Sequence, residues 1–419
     1  MGKKAGTLVL KNATIIDGTG ADPVSGGSVI IEGDRIKEVL PGSPGSVPNR
    51  AEVKDCRGQT LMPGLIDGHV HICAFEAELT EMKRRNYPSV AVIRSLKILK
   101  ETLDQGFTTA RDAGGADPGF RLAVEQGLIT GPRLSVAGRS LTQTGGHGDS
   151  RLPTEIYDPV PSRAGMGGTI ADGVDACRLA AREQIRQGVD FIKVMAGGGC
   201  MSPADEIDTS QYSLDELKAV VWEAESAETY VAAHCYSDRS IINSVMAGIR
   251  TIEHGNLLTS EGAKAIEEAG AYLVPTIVTY EAMCRMGEDL GIPAIYLNKM
   301  TEARDKAEEA LSNAYKAGCK IGSGSDVLGP MQVYKAEELA LQARVLSPMG
   351  AIVATTKTNA QILRREKDIG TIESGKLADL ILVDGDPLED ISILQQYQEK
   401  ITMIMQGGCF YKNINSERR

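Results

Sequence analysis

All five histidines of this chain lie at or beside the end of a predicted β-strand, next to glycine or another polar residue. His69 and His71 stand two residues apart in the segment 64–71. Because alternate residues of a strand point to the same face, these two imidazoles can bind one metal ion together. The other three are His147, His234 and His254. This use of the whole histidine content predicts a metalloenzyme.

Two further polar residues end predicted strands. Lys193 lies in the apolar segment 191–196, where an ammonium group is expensive to bury. Desolvation lowers the pKa of a lysine, and the neutral amine can react with CO₂. The resulting carbamate is an anionic ligand suited to bridging two divalent metal ions. Asp326 ends the last predicted strand, where its carboxylate can bind a metal ion and accept a proton from bound water.

The elements that must position these residues follow a repeated pattern. From Pro63 onward, apolar strand-like runs alternate with helical stretches, which is typical of a parallel sheet. The eight predicted strands are 64–72, 107–114, 133–141, 191–197, 230–235, 251–255, 271–277 and 319–326. Eight such units in about 300 residues predict an α/β fold, a (β/α)8 TIM barrel with its active site at the C-terminal strand ends.

Both ends of the chain have β-rich patterns, in residues 7–62, 370–386 and 401–411. We expect residues 1–62 and 363–419 to form a small β-sandwich domain beside a hydrolase barrel of residues 63–362. Within the barrel, the segment 142–169 is glycine-rich and lacks periodicity, which is typical of a lid or binding loop. The glycines 197–199 are interpreted as a close approach of the backbone to the metal site.

Charge and composition exclude several classes of function. The formal net charge of −11 argues against nonspecific nucleic-acid binding, which needs basic residues. We see no secretory signal and no apolar run of about 18 residues that could span a membrane. The eight cysteines include no CxxC pair and read as reduced thiols of a cytosolic protein. The expected partner is a small-molecule substrate.

Six segments together resemble the amidohydrolase superfamily: 62–71, 111–115, 143–147, 192–195, 252–256 and 375–379. Within it, the chain is similar to the binuclear metal-dependent prolidase-like amidohydrolases. These enzymes cleave Xaa–amino-acid dipeptides, N-acyl amino acids and ochratoxin-type amides. The resemblance covers nearly the whole chain and implies two divalent metal ions, for which we expect zinc. We also expect a homo-oligomer.

The resemblance also implies roles for individual residues. His147 would contact the carbonyl or carboxylate of the substrate, and Tyr236 would help to hold the free carboxylate. Ser325 stands where the family often has threonine and keeps the hydroxyl group. The six implied metal ligands are His69, His71 and Asp326 at the more buried metal, His234 and His254 at the second, and carboxylated Lys193 between the two.

The leading hypothesis is hydrolysis of a carboxamide or peptide bond next to a free carboxylate. A metal-bridging hydroxide would attack the carbonyl, and Asp326 would pass its proton to the leaving amine. One alternative is a mononuclear deaminase, but no glutamate follows His234 at the spacing that such an enzyme needs. The others are a hydrolase of a neutral cyclic amide or carbamate, and a scaffold without metals. Arg111 and Asp112 are expected to form a structural ion pair.

Overall fold

The structure is a computed structural model that describes residues 6–46, 50–156 and 167–414. Its strands are β1 (Thr7–Ile15), β2 (Val24–Glu32), β3 (Arg35–Leu40), β4 (Glu52–Asp55), β5 (Thr60–Pro63), β6 (Leu65–Val70), β7 (Phe107–Asp112), β8 (Arg133–Val136), β9 (Ser140–Thr142), β10 (Gly168–Ile170), β11 (Ile192–Met195), β12 (Val231–Ser237), β13 (Thr251–Leu257), β14 (Tyr272–Val274), β15 (Lys320–Ile321), β16 (Leu380–Val383), β17 (Ile401–Gln406) and β18 (Cys409–Asn413).

The α-helices are α1 (Leu79–Arg85), α2 (Pro88–Asp104), α3 (Pro118–Glu125), α4 (Val174–Gln187), α5 (Leu214–Ser226), α6 (Asp238–Met246), α7 (Ser260–Glu268), α8 (Ile277–Met286), α9 (Ala294–Ala317), α10 (Glu337–Val353), α11 (Asn359–Ile362) and α12 (Tyr397–Lys400). Shorter 3-10 turns cover Gly329–Tyr334 and Ile391–Gln396, and a π turn covers Ala354–Thr358. No helix in the described part of the chain is long and apolar enough to cross a membrane.

The strands that carry the histidines belong to parallel sheets. One sheet has the order β6-β7-β8, and the other has the order β10-β9-β11-β12-β13-β14-β15. The predicted strand 133–141 is two strands, β8 and β9, because Gly138 adopts a positive φ of 67° between them. The fold is therefore α/β, with strands and helices alternating along the chain as the sequence predicts.

Backbone hydrogen bonds join the two parallel sheets on both sides. The N–H of Gly68 on β6 donates to Ser323 O beyond β15, at 2.8 Å. On the other side, the N–H of Asp190 before β11 donates to Val136 O on β8, at 2.9 Å. Gly68 must be glycine at this close approach, because a Cβ there would lie 2.7 Å from Ser323 O. The first bond brings β6 next to the segment after β15, and the second brings β8 next to the start of β11.

The terminal segments pair in a separate mixed sheet. Its order is β18-β17-β16-β5-β1-β2-β3, with β4 alongside β1. Residues such as Leu8 and Leu382 pack on one side of this sheet, and Met62 and Ile381 pack on the other with residues of α10. The two ends of the chain thus meet in one sheet. The domain boundaries at 62 and 363 and the sandwich architecture stay predictions.

Candidate active site

His69, His71 and Asp326 form a tight cluster where β6 ends next to the segment after β15. Nε2 of His71 lies 3.3 Å from Oδ1 of Asp326, and Nε2 of His69 lies 3.8 Å from the same oxygen. The N–H of Asp326 donates to His69 O at 2.8 Å, which fixes the two segments together. One ligand atom from each residue lies within 4.8 Å of the other two. Such a group can hold one metal ion.

Acceptors hold the ring nitrogens of His69 and His71 that face away from Asp326. Nδ1 of His71 donates to Gly114 O at 2.7 Å, and Nδ1 of His69 lies 2.7 Å from Oε2 of Glu253. Because a carbonyl oxygen only accepts, His71 carries its hydrogen on Nδ1 and presents the lone pair of Nε2. Partners of this kind orient a histidine for metal binding.

His234 and His254 extend the cluster from β12 and β13. The His254 ring centroid lies 4.8 Å from that of His69 and 4.5 Å from that of His234. Nε2 of His234 donates to Gly198 O at 2.9 Å, which leaves its Nδ1 as the free nitrogen. Nδ1 of His254 lies 2.8 Å from the hydroxyl of Thr276. The pair lies beside the tight group rather than within it.

Lys193 lies on β11 and lines the same cavity as the histidines. It is 1% exposed. Burial lowers its pKa to about 8, and the carboxylates of Glu253 and Asp326 oppose that effect. A minor fraction of neutral amine is therefore present near neutral pH, far more than an exposed lysine would have.

Burial keeps the histidines of the cluster in the neutral form that binds metals, and it also favours the protonated form of Asp326. It is the largest cause of a lowered pKa in every histidine of the chain and brings the pKa of His71 to about 3. Burial also raises the pKa of Asp326 to about 7, against the charge of Lys193. Neutral imidazole is the form that binds metals. Imidazole nitrogens with a carboxylate suit divalent ions such as zinc, so the donor set fits the expected cofactor.

A buried ion pair supports the cluster. Nη2 of Arg111 donates to both carboxylate oxygens of Glu253, at 2.7 and 2.6 Å, and both residues are 0% exposed. Arg111 therefore pairs with Glu253. The sequence had suggested an ion pair between Arg111 and Asp112, and that prediction is wrong. Adjacent strand residues point to opposite faces, and Asp112 instead accepts from the N–H groups of Ile72 and Gly114, at 2.8 and 3.0 Å.

Asp326 is also braced through its neighbour Ser325. The Ser325 hydroxyl donates to Oδ2 of Asp67 at 2.6 Å. Nζ of Lys335 lies 3.3 Å from Oγ of Ser325 and 3.7 Å from the Asp67 carboxylate. Lys335 is 0% exposed, so this charge lies inside the protein. The sequence analysis identified neither Asp67 nor Lys335, although Asp67 lies two residues before His69.

His147 and Tyr236 lie against His234. The His147 ring stacks on the His234 ring at a centroid distance of 4.2 Å, and the Tyr236 ring meets it edge-on at 4.8 Å. The Tyr236 hydroxyl accepts from Tyr280 Oη at 2.8 Å and from Cys200 Sγ at 3.5 Å. With both neighbours donating, the hydroxyl hydrogen of Tyr236 is left for a further acceptor.

The rest of the cavity has a largely apolar lining. Its apolar side chains come from α1, β11, the loop after β11, α9 and the segment after β15: Leu79, Met195, Met201, Pro203, Met300 and Leu328. Ser150, Gly167 and Gly168 of the predicted loop 142–169 also line it. Residues 157–166 of that loop lie outside the described residues. All eight cysteines of the chain are described and none forms a disulfide; the one that lines the cavity is Cys200.

Comparisons with known proteins identify the family of this chain. Residues 60–409 match the amidohydrolase family. The ochratoxinase of Aspergillus niger is 30% identical over 424 residues, which cover 98% of this chain and 87% of that protein. A prolidase complexed with N-methylphosphonate-L-proline is 42% identical with a TM-score of 0.94, over 97% of this chain and 100% of that one. A Xaa-Pro dipeptidase with bound methionine in its active site is 30% identical with a TM-score of 0.88, over 97% and 100%. The chain therefore belongs to the amidohydrolase family and is a hydrolytic enzyme of the prolidase and ochratoxinase type.

Proposed function

We propose that this protein is a binuclear metal-dependent amidohydrolase that cleaves a carboxamide or peptide bond next to a free carboxylate. Dipeptides, N-acyl amino acids and ochratoxin-like amides belong to this class. The observation that carries the proposal is the single cavity lined by all five histidines together with Lys193 and Asp326. The amidohydrolase family is metal-dependent, and the cluster of His69, His71 and Asp326 offers a site for such an ion.

Six residues would hold two divalent metal ions, and we expect zinc. His69, His71 and Asp326 would bind the first, His234 and His254 the second, and Lys193 as a carbamate would bind both. The pKa of about 8 supports this modification of Lys193, because only the neutral amine reacts with CO₂. When bound, the ions would lower the pKa of water and polarise the carbonyl of the substrate.

Asp326 is the proposed proton carrier. Its side chain is 18% exposed and lines the cavity, so a reacting water molecule can reach its carboxylate. Burial raises the pKa of Asp326 to about 7, which suits a group that both accepts and donates protons near neutral pH. Asp326 would accept a proton from the attacking water and deliver it to the nitrogen of the leaving amine.

His147 and Tyr236 would bind the free carboxylate of the substrate. A carboxylate in a protein of net charge −11 needs local donors, and an imidazole and a phenol hydroxyl can supply them. Both residues pack against His234, so the carboxylate would lie beside the second metal site. The acyl side of the substrate would meet the apolar lining, including Met195 and Met300, which favours an apolar acyl group.

The broader organisation is also part of the proposal. We propose that the two parallel sheets form a closed (β/α)8 barrel of residues 63–362. The backbone bonds from Gly68 to Ser323 and from Asp190 to Val136 support this closure. Residues 1–62 and 363–419 would form a β-sandwich domain. A homo-oligomer and a cytoplasmic location stay expectations.

Metal analysis and a paired substrate test can decide the function. Purified enzyme should contain about two metal ions per chain and cleave N-acyl amino acids or dipeptides much faster than the matching methyl esters. One ion per chain would favour the mononuclear deaminase, and a protein that binds none would be a scaffold. Equal turnover of free acid and ester would show that carboxylate anchoring is wrong, and neutral cyclic amides or carbamates would then be the substrates to test.

A further inference from the structure

A chain of hydrogen bonds runs from His147 away from the cavity to a carboxylate that the proposed reaction does not use. Nδ1 of His147 lies 2.9 Å from Oγ of Ser202. The hydroxyl of Ser202 in turn contacts Oδ1 of Asp205. Ser202 is 1% exposed, so water does not compete for these bonds. His147, Ser202 and Asp205 are called the His147 relay below.

The single hydroxyl hydrogen of Ser202 determines which atoms donate and which accept in the His147 relay. Ser202 has one hydroxyl hydrogen, and its two acceptors are the carboxylate of Asp205 and the carbonyl of Gly199, the latter at 3.2 Å. Neither of these oxygens can donate, so Oγ of Ser202 must accept from His147. The ring therefore carries a hydrogen on Nδ1 and leaves Nε2 as the nitrogen for the cavity.

The main chain of His147 is tied to the same carboxylate. Oε1 of Gln211 accepts from the His147 N–H at 3.0 Å, and Nε2 of Gln211 donates to Oδ2 of Asp205 at 2.6 Å. The N–H of Gly199 also donates to Oδ2 of Asp205, at 3.2 Å. Asp205 thus holds both the ring and the backbone of His147. A Cβ at Gly199 would lie 2.0 Å from Nδ1 of His147, which shows how closely the loop packs on the ring.

A buried cation fastens this loop from the other side. Nζ of Lys299, on α9, lies 3.4 Å from the carbonyl of Ser202 and also contacts the carbonyl of Asp205. Lys299 is 7% exposed. The relay therefore joins the loop after β9, the loop after β11 and helix α9, and it ends in a rigid support rather than in a mobile surface.

We propose that Ser202 and Asp205 are positioning residues that fix the ring of His147 for contact with the carboxylate of the substrate. The inference rests on the proposed function, in which His147 binds that carboxylate. Without the acceptor at Ser202, the His147 ring could rotate and exchange Nδ1 with Nε2, since this terminal torsion is broad. Because Nδ1–H is engaged by Ser202, Nε2 is the nitrogen that meets the substrate. It donates to the carboxylate when the ring carries both hydrogens, and the charge of Asp205 favours that cationic form.

A double-mutant cycle in the full-length, metal-loaded enzyme tests this inference. The probe is an N-acetyl amino acid that the wild type cleaves, beside its methyl ester. Ser202→Ala and Asp205→Asn should each raise KM for the free acid about tenfold, with a smaller change in kcat and in the ester reaction. In a His147→Ala background, either substitution should add less than about a twofold effect, because both act through His147.

Two controls share the loop but not the relay. Glu206→Gln removes one negative charge next to Asp205; its side chain is 69% exposed and lies 3.7 Å from Lys299. Ser210→Ala removes a hydroxyl that contacts Asn243 at 3.2 Å. Both variants should retain wild-type KM for the free acid.

The outcomes distinguish failure of the positioning role of Ser202 and Asp205 from failure of the proposed function. If the wild type prefers the free acid but the substitutions cost as much in the His147→Ala background as alone, the positioning role is wrong. If Ser202→Ala fails to fold, the Asp205→Asn arm of the cycle decides the question in the same way. Equal cleavage of acid and ester by the wild type would instead refute carboxylate anchoring, and with it the reason for the relay.

Discussion

Glu253 links the buried ion pair to the metal cluster. Glu253→Gln tests its contribution to the stability of the protein and its contribution to metal binding. Its carboxylate accepts from Arg111 at 2.7 and 2.6 Å and lies 2.7 Å from Nδ1 of His69. Thr251 Oγ1 donates to it at 2.6 Å. Glutamine has almost the same shape, but it removes the charge and turns an NH₂ group towards donors that need an acceptor.

The expected cost is large because Arg111 cannot reach water. Arg111 and Glu253 are both 0% exposed, so Glu253→Gln leaves a buried guanidinium without its counter-charge. Removing one partner of a buried pair costs about 3–5 kcal/mol. We therefore expect the unfolding free energy of the metal-free protein to fall by about 3–5 kcal/mol. Loss of the carboxylate behind His69 should also weaken metal binding by about 10–100-fold.

Two assays measure these effects separately. Urea unfolding followed by circular dichroism gives the stability of the metal-free variant, and competition with a chelating dye gives its metal affinity. Glu223→Gln is the matched control, since Glu223 accepts from Arg178 and Arg182 at 3.0 and 2.9 Å. Those arginine side chains are 35% and 61% exposed, so water replaces the lost bonds and the cost should be about 0–1 kcal/mol. The reasoning fails if Glu253→Gln is no more destabilising than Glu223→Gln and binds metal normally.

Four further predictions concern the reaction itself. Lys193→Ala should lose most activity and regain part of it with short carboxylic acids; mass spectrometry that finds an unmodified lysine in the active two-metal enzyme would contradict the bridging carbamate. Asp326→Asn should retain metal but lose roughly 10²–10⁴-fold in kcat, and a value within about threefold of the wild type would place proton transfer elsewhere. His147→Ala should weaken kcat/KM for the free acid by about 1.5–3 kcal/mol and affect the methyl ester far less; equal losses on both substrates would exclude a carboxylate contact. Since the neutral fraction of Lys193 rises as pH passes its pKa of about 8, activation of metal-free enzyme by metal at a fixed concentration of dissolved CO₂ should quicken through that range and then level off. A rate of activation that does not change with pH would contradict this interpretation.

The cluster could be predicted from the sequence because local patterns determine where each residue stands on its strand. A period of two places His69 on β6 and His71, one residue beyond its end, on the same side. In the parallel sheet, Met195 on β11 pairs with His234, and Cys235 pairs with His254, so consecutive strands bring these residues to one edge. Strand lengths were predicted less well. The predicted strand 133–141 is broken at Gly138 by a positive φ that the apolar pattern does not reveal.

The partners of the cluster could not be predicted, because they depend on which distant residues face one another. Arg111 and Glu253 are 142 residues apart and meet only when the strands are assembled. Adjacency in sequence suggested Asp112 as the partner, but alternation along β7 turns Asp112 the other way. The contact of Ser202 with His147 likewise joins two loops 55 residues apart.

The five histidines show why residue type alone does not assign a role. All of them line one cavity, yet one ring nitrogen meets a carbonyl oxygen in two of them, a hydroxyl in two and a carboxylate in the fifth. A carbonyl oxygen accepts from His71 and from His234, and it decides in each ring which nitrogen keeps a lone pair. Nδ1 of His147 contacts the hydroxyl of Ser202, which itself donates to Asp205. This nitrogen therefore belongs to a hydrogen-bond chain that none of the other four histidines shares. The proposed division between four metal ligands and one substrate-binding histidine therefore depends on those partner atoms, which only the folded structure places.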